Sequence, residues 1–205
     1  NNYSMLKVLD LGCGKGAVSV KLAAALKCNC FGIDGIPDFI TTSREKAQEY
    51  GVEELCKFEV GDIRETIETA GKFDVIILGA IGQVFGNYYD TLTILSKHLT
   101  QEGIIIINDA YINDTSSFRH PAVLHRSELL KQIEQADMKL IDEDVDASIE
   151  SAIEFENLQR RCMELIAKYP DKTSLFESYI KAQADEYEAL ESEMIGSIMV
   201  ISNIA

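Results

Sequence analysis

Residues 5–16, MLKVLDLGCGKG, constrain the fold more than any other stretch of this chain. Met5, Leu6, Val8, Leu9 and Leu11 make a short, nearly continuous apolar run, the pattern of a strand covered on both faces inside a parallel sheet. Asp10 stands near its end, and glycines follow at alternate positions, Gly12, Gly14 and Gly16. Glycines so placed let the backbone turn sharply and approach a ligand where a Cβ would collide. The next segment, AVSVKLAAAL, reads as a helix with Val18, Leu22, Ala25 and Leu26 on one face and its N-terminus aimed back at the loop. A strand, a glycine turn and a helix in that order form a cofactor-binding corner.

Two cofactor classes use such a corner. As GxGxxA, residues Gly12, Gly14 and Ala17 match the dinucleotide fingerprint, with Asp34 at about the distance of its ribose-binding acid. As DxGxGxG, residues Asp10, Gly12, Gly14 and Gly16 resemble motif I of the class I methyltransferases that use S-adenosylmethionine. Asp10 decides between the two. A carboxylate at the strand end would repel a pyrophosphate and attract the methionine ammonium of S-adenosylmethionine.

The resemblance extends along the chain from about residue 5 to 144 and returns at the last strand. It implies that Asp34, ending the second strand CNCFGI, accepts both ribose hydroxyls, with Gly35 next to it in the loop. It implies that Asp62, after the third strand (residues 55–60), accepts from the adenine amino group while Ile63 packs on the ring. Gly79 and Ala80, ending the fourth strand FDVIILGAIG, would leave room for the methionine half, and Cys13 falls inside the glycine loop. Relatives usually carry a helical segment before strand one, so this N-terminus is expected to be either truncated or not included in full.

Plain structural roles compete for several neighbours. Gly32, Gly35, Gly82 and Gly86 suit turns or packing, Asp74 a turn or cap before a strand. Cys13 invites a nucleophile reading, but the loop needs a small residue there. Cys28 and Cys30, with one residue between them, suit neither a zinc knuckle nor a redox pair, and no other cysteines form CxxC. No HxH or HExxH spacing suggests a metal.

Composition points to a soluble, cytoplasmic enzyme. Five cysteines without framework spacing indicate a reducing compartment. The chain opens NNYS with no signal peptide, and no run approaches the roughly 18 apolar residues of a membrane span. A formal charge of −15 with no Lys/Arg cluster argues against nucleic acid as a partner and leaves a small-molecule substrate.

Strands and helices alternate at intervals of about 20–30 residues, which gives βαβ units and a parallel sheet. Pro37 opens the helix PDFITTSREKAQEY and Gly51 stops it. The fifth strand reads from Gly103. The helix RSELLKQIEQA precedes a sixth strand MKLIDEDVD, and IGSIMVISNIA closes the chain as a seventh. By the resemblance, the α/β fold is a three-layer sandwich with a mainly parallel seven-stranded sheet, order 3-2-1-4-5-7-6 and strand seven antiparallel. The whole of residues 1–205 then reads as a single methyltransferase domain.

Residues 147–193, between strands six and seven, read as a helical hairpin insert broken at Tyr169, Pro170 and Asp171. Its first half carries the apolar stripe Ile149, Ile153, Leu158, Cys162, Leu165 and Ile166. Its second half opens on a Ser174/Glu177 capping box and carries Phe176, Tyr179, Ile180, Tyr187, Leu190 and Met194. The stripes suit packing on the sheet, a homodimer contact, or a wall of the acceptor pocket. Methyl transfer needs chiefly alignment, and only a hydroxyl or carbon acid wants a base. The catalytic residue is unassigned at this level. Asp109, Tyr111 and His120 after strand five are the acceptor-side candidates, with Tyr88 and Tyr89 after strand four, ahead of His98 and His125.

Overall fold

The computed structural model describes residues 3–145 and 151–204. They fall into two compact units. Asn1–Asp109, Ser127–Asp144 and Ile198–Ala205 form the first, Ala110–Arg126 and Val145–Ser197 the second. A seven-stranded sheet runs in the order β3-β2-β1-β4-β5-β7-β6, as expected. Its strands are β1 (Lys7–Leu11), β2 (Asn29–Asp34), β3 (Cys56–Val60), β4 (Phe73–Gly79), β5 (Leu99–Ile112), β6 (Met138–Asp144) and β7 (Met194–Asn203). The pairs among β1 to β5 are parallel, and β7 runs antiparallel to β6.

β1 lies inside the sheet, between β2 and β4, as its apolar side chains favour. Val8, Leu9 and Leu11 are almost wholly buried, and each such side chain gains about 1.5–3 kcal/mol on leaving water. Met5 is not part of the strand. It ends a short 3-10 turn, Tyr3–Met5, and is 78% exposed, so the apolar run begins two residues before the strand it announces.

The first helix, α1 (Ala17–Leu26), buries Ser19, Val20 and Ala23, and leaves Val18 and Ala25 exposed. The expected face was thus displaced. In AVSVKLAAAL almost every position is apolar or small, so spacing alone could not fix the phase. Gly16, left-handed at the N-cap, starts the helix at Ala17 and sets the phase instead. α2 (Pro37–Glu49) has Pro at its first turn, and Gly51 follows it with φ +63°. α3 (Ile63–Thr69), α4 (Tyr88–Leu95) and α5 (Arg126–Gln135) complete the first set of helices.

β5 is longer than the sequence suggested. It starts at Leu99, and its pairing to β4 slips between Phe73 and Val75. Gly103 occupies that irregularity, where a Cβ would lie 3.0 Å from the Phe73 carbonyl oxygen. Asp74 is therefore no cap before the strand but a tie inside it. Its carboxylate accepts from the Lys7 backbone N–H and from the Thr100 hydroxyl, both at 2.9 Å.

In the second unit, α6 (Ser151–Lys168) and α7 (Thr173–Ser192) are joined through a 3-10 turn, Pro170–Lys172, at the expected break. Phe155 and Tyr187 meet across the hairpin with ring centroids 5.2 Å apart. Cys162 is buried, whereas Leu165 and Tyr179 stay exposed. Ser174 lies inside the first turn of α7 rather than at its cap, so the capping box does not form there, and Met194 belongs to β7. Ile149, and the side chains of Ile153 and Leu190, lie outside the described residues. No described helix is long and apolar enough to cross a membrane.

Candidate active site

The loop after β1 is held by its own backbone. Gly12 and Cys13 both donate to the Ile33 carbonyl, at 2.9 and 3.0 Å, and Gly16 donates to Cys13. Gly12, Gly14 and Gly16 all have φ between +54° and +72°, a region that costs a side chain roughly 1–2 kcal/mol. The surroundings of the three differ. At Gly16 a Cβ would lie 2.7 Å from Ser43 Cβ and 3.1 Å from the Phe58 ring, so this glycine lets α1 seat against α2 and β3. At Gly12 it would strike Ile81 Cγ2 at 2.5 Å. At Gly14 it would meet nothing within 4 Å, and the same holds at Gly35 and Gly79. The glycine loop thus forms a cradle open at Gly14, and space is also open at Gly35 and Gly79, at or just past the ends of β2 and β4. Gly32 is a packing glycine, with Phe58 and the Cys13 sulfur filling the space of a Cβ.

Asp34 ties the cradle together. Its Oδ2 accepts from Gly14 N–H and its Oδ1 from Ile36 N–H, each at 2.9 Å, so one carboxylate fixes the glycine loop and the start of α2. Asp10 is 3% exposed, and its Oδ2 accepts from the Ser19 hydroxyl at 2.5 Å. Burial pushes its carboxyl up, the Ser19 hydrogen bonds pull it down, and the charge of Asp34 adds to the upward push. Among the described residues neither acid has an ion pair. The corner thus holds two mutually repelling carboxylates beside an open space.

Asp62 caps α3 through Arg64 N–H at 2.9 Å and pairs with the Arg64 guanidinium, which holds its carboxyl down to about 2. Ile63 is 8% exposed, with most of its side chain in the core. Ala80, just past β4, has φ +53° although it is not glycine, and its N–H donates to the Asn108 carbonyl at 3.1 Å. The surroundings of Cys13 disfavour its thiolate. Burial, with Asp10 and Asp34 adding, pushes its thiol up to about 12.

At the ends of β4 and β5, the Tyr88 hydroxyl donates to Asp109 Oδ2 at 2.8 Å. Burial and then the Asp109 charge push the Tyr88 hydroxyl well above its ordinary value, so it remains a donor. Gln132 of α5 accepts from Tyr88 N–H at 3.0 Å and fixes the start of α4. Ile81, Thr91 and Ile107 help to enclose a space of about 20 Å³ beside Asp109, room for about one water.

A family model described as a methyltransferase domain matches residues 3–193. The chain belongs to this methyltransferase family. Over 111 residues it is 31% identical to a ubiquinone biosynthesis O-methyltransferase of Rickettsia conorii, a match covering 53% of this chain and 36% of that protein. Over 99 residues it is 28% identical to a probable cobalt-precorrin-6B C(15)-methyltransferase of Methanothermobacter thermautotrophicus, covering 48% of this chain and 50% of that protein. The chain spans half the length or less of these two relatives. Among solved structures, the SAM-dependent methyltransferase of Geobacter sulfurreducens, crystallised with S-adenosyl-L-homocysteine, superposes with a TM-score of 0.80 at 19% identity, covering 98% of this chain and 85% of that one. The [4+2]-cyclase SpnF superposes at 0.78 and 17% identity, over 97% of this chain and 74% of its own. At such identities these likenesses establish the fold alone.

Within this family member each acceptor-side candidate has its own surroundings. Asp109 stands with Tyr88 in the first unit, whereas Tyr111 and His120 belong to the second. There Tyr111 is buried under the Arg126 guanidinium, 5.6 Å from its ring centroid. His120 is exposed, stacks on Phe118 and accepts from Ala122 N–H. Tyr89 is exposed at the start of α4. His98 bonds the Ala70 carbonyl at 3.0 Å, and His125 the Phe118 carbonyl at 3.1 Å, both structural ties. Sequence reasoning missed Ser19, Ile81 and Gln132. Only Ser19 left a signal, as the one hydroxyl in an otherwise apolar first helical turn.

Proposed function

We propose that this chain transfers a methyl group from S-adenosylmethionine to a hydroxyl of a small molecule. Two carboxylates beside the glycine loop, with no ion pair among the described residues, support a cationic cofactor over a pyrophosphate, which they would repel. When bound, S-adenosylmethionine supplies a methyl group activated on a sulfonium. Asp10 and the Gly12–Gly16 loop would hold its methionine half, with Gly79 and Ala80 leaving room, and Asp34 beside Gly35 its ribose. Asp62 would hold the adenine amino group and Ile63 flank the ring.

The observation that carries the acceptor reading is Asp109, whose carboxylate lines the small space at the ends of β4 and β5. Asp109 takes the acceptor's hydroxyl proton, and Tyr88, which stays protonated, positions that carboxylate through its hydrogen bond. Oxygen acceptors also suit the O-methyltransferase relatives. The surrounding space is too small for a metabolite as it stands, so the loop of residues 80–86 must shift to admit one.

Differential scanning fluorimetry with S-adenosylmethionine, S-adenosylhomocysteine, NAD and NADP is the first test. At a hundred times Kd, stabilisation of about 2.7 kcal/mol and roughly 2–4 °C per kcal/mol predict a shift of about 5–10 °C with the first two ligands alone. An equal shift with NAD would sink the cofactor reading. Methyl transfer to a panel of phenols, alcohols, amines and thiols then tests the acceptor, and turnover confined to amines or thiols would sink the hydroxyl reading.

A further inference from the structure

The amino-terminal edge of the sheet carries a second chemical feature, remote along the strands from the glycine loop. Lys7, Asn29 and Phe73, at or next to the first residues of β1, β2 and β4, line a cleft of about 470 Å³ together with Cys30 and Cys56. Cys30 and Cys56 are register partners on the parallel strands β2 and β3. Neighbouring strands lie roughly 4.7–4.9 Å apart, inside the window of about 4.4–6.8 Å between Cα atoms that a disulfide accepts. Cys28 adds a third sulfur, 3.8 Å from that of Cys30. All of these cysteines are free thiols.

We propose that Cys30 and Cys56 form a dithiol modification site that reacts with low-molecular-weight disulfides and closes a bond between β2 and β3. The two thiols are not equivalent. Cys30 is 2% exposed, while Cys56 is only partly buried and reachable from the cleft. The neighbouring Cys30 side chain draws the Cys56 thiol below its ordinary value against the effect of burial, and the Cys56 side chain, with burial, pushes Cys30 up. Cys56 is thus the attacking thiolate and Cys30 the thiol held in reserve.

The steps balance. Cys56 thiolate attacks one sulfur of the small disulfide RSSR, forming a mixed disulfide and releasing RS⁻. The Cys30 sulfur then attacks the Cys56 sulfur, its proton passes to the leaving RS⁻, and a second RSH departs. The small disulfide is reduced and the pair oxidised, with no other reactant. The sequence hid this site because Cys56 lies 26 positions from Cys30 (56 − 30) and becomes its neighbour only through the sheet.

The test is to incubate the native chain with oxidised glutathione and follow intact mass and peptide maps. The expected product has lost two hydrogens, retains no glutathione and yields a Cys30–Cys56 cross-linked peptide. Cys30→Ser should stop at a glutathione adduct on Cys56, and Cys56→Ser should resist modification under the same conditions. A stable adduct on the wild-type chain, a Cys28–Cys30 bridge, or reaction first at Cys162 would each overturn the proposal. The wild-type peptide map decides the matter even if a variant fails to fold.

Discussion

Between Asp10 and Ile63, each residue proposed to hold the cofactor lies at or just beyond a strand end, within a motif that is contiguous in sequence. At the neighbouring ends of β4 and β5 the chemistry is instead assembled at long range. Tyr88 reaches Asp109 across 21 positions, and Gln132 reaches back 44 to hold Tyr88 N–H. A ligand shared by many relatives can be held by one local design, whereas an acceptor pocket has to be rebuilt for each substrate from side chains brought together by packing. The two halves should accordingly fail in different ways when altered.

The largest effect is expected on the long-range side. Asp109→Asn should lower kcat by about 10²–10⁴-fold while leaving the Kd for S-adenosylmethionine within a few fold, because it removes a proton acceptor and no cofactor contact. Steady-state kinetics and calorimetric titration read the two quantities separately. Tyr88→Phe should fall short of that loss, since it takes away only the positioning hydrogen bond. If Asp109→Asn weakened cofactor binding as much as turnover, the division between the halves would not hold.

The second effect divides the glycines. Gly16→Ala forces a left-handed backbone and drives a Cβ into Ser43 and Phe58, so it should cost about 2–5 kcal/mol, read as a shift in the urea midpoint. Gly14→Ala carries only the backbone strain of roughly 1–2 kcal/mol, its Cβ meeting nothing. Its main consequence should be weaker cofactor binding. Equal stability losses at both positions would mean that the cradle is as tightly packed as the helix seat.

Third, Asp34→Ala should weaken S-adenosylmethionine binding by more than tenfold, about 1.4 kcal/mol. The variant loses the proposed ribose acceptor and also frees the Gly14 and Ile36 N–H groups that order the loop. Asp34→Asn keeps an oxygen for at least one of those N–H groups and should lose less. An unchanged dissociation constant in a folded Asp34→Ala chain would place the ribose elsewhere.

These contrasts follow what the sequence could and could not reveal. The first strands and the glycine corner were legible because apolar runs, alternate glycines and strand-end acids are local signals, and the strand order came only with the family resemblance that those signals carry. The burial of Asp10 against Ser19, the phase of α1 and the tie at Asp74 were not, since each depends on where a neighbouring element comes to rest. Asp74 looked like a cap because β4 begins just before it. Only the slip between β4 and β5 shows why a carboxylate is kept there. The Cys30 and Cys56 neighbours likewise needed the fold.

The smallest expected effect, and the one that bears most directly on why the corner favours a cation, concerns Asp10. Its folded-state carboxyl is raised by burial above the ordinary value near 3.9, so the folded chain binds a proton more tightly than the unfolded chain does. The resulting stability is fully present below the unfolded value and is lost as pH rises through the folded one. Asn at this position has no such proton. Asp10→Asn carries a fixed cost from its buried amide donors, and on top of it the stability of wild type relative to the variant should decline as pH rises from the unfolded carboxyl value through the raised folded one. Urea titrations at a series of pH values give that difference directly. Saturating S-adenosylmethionine should reduce the decline, because a cation beside the carboxylate favours its charged form, whereas NAD should not. A pH-independent difference, or one unmoved by the cofactor, would detach Asp10 from the methionine end of the site and leave the glycine loop to hold it alone.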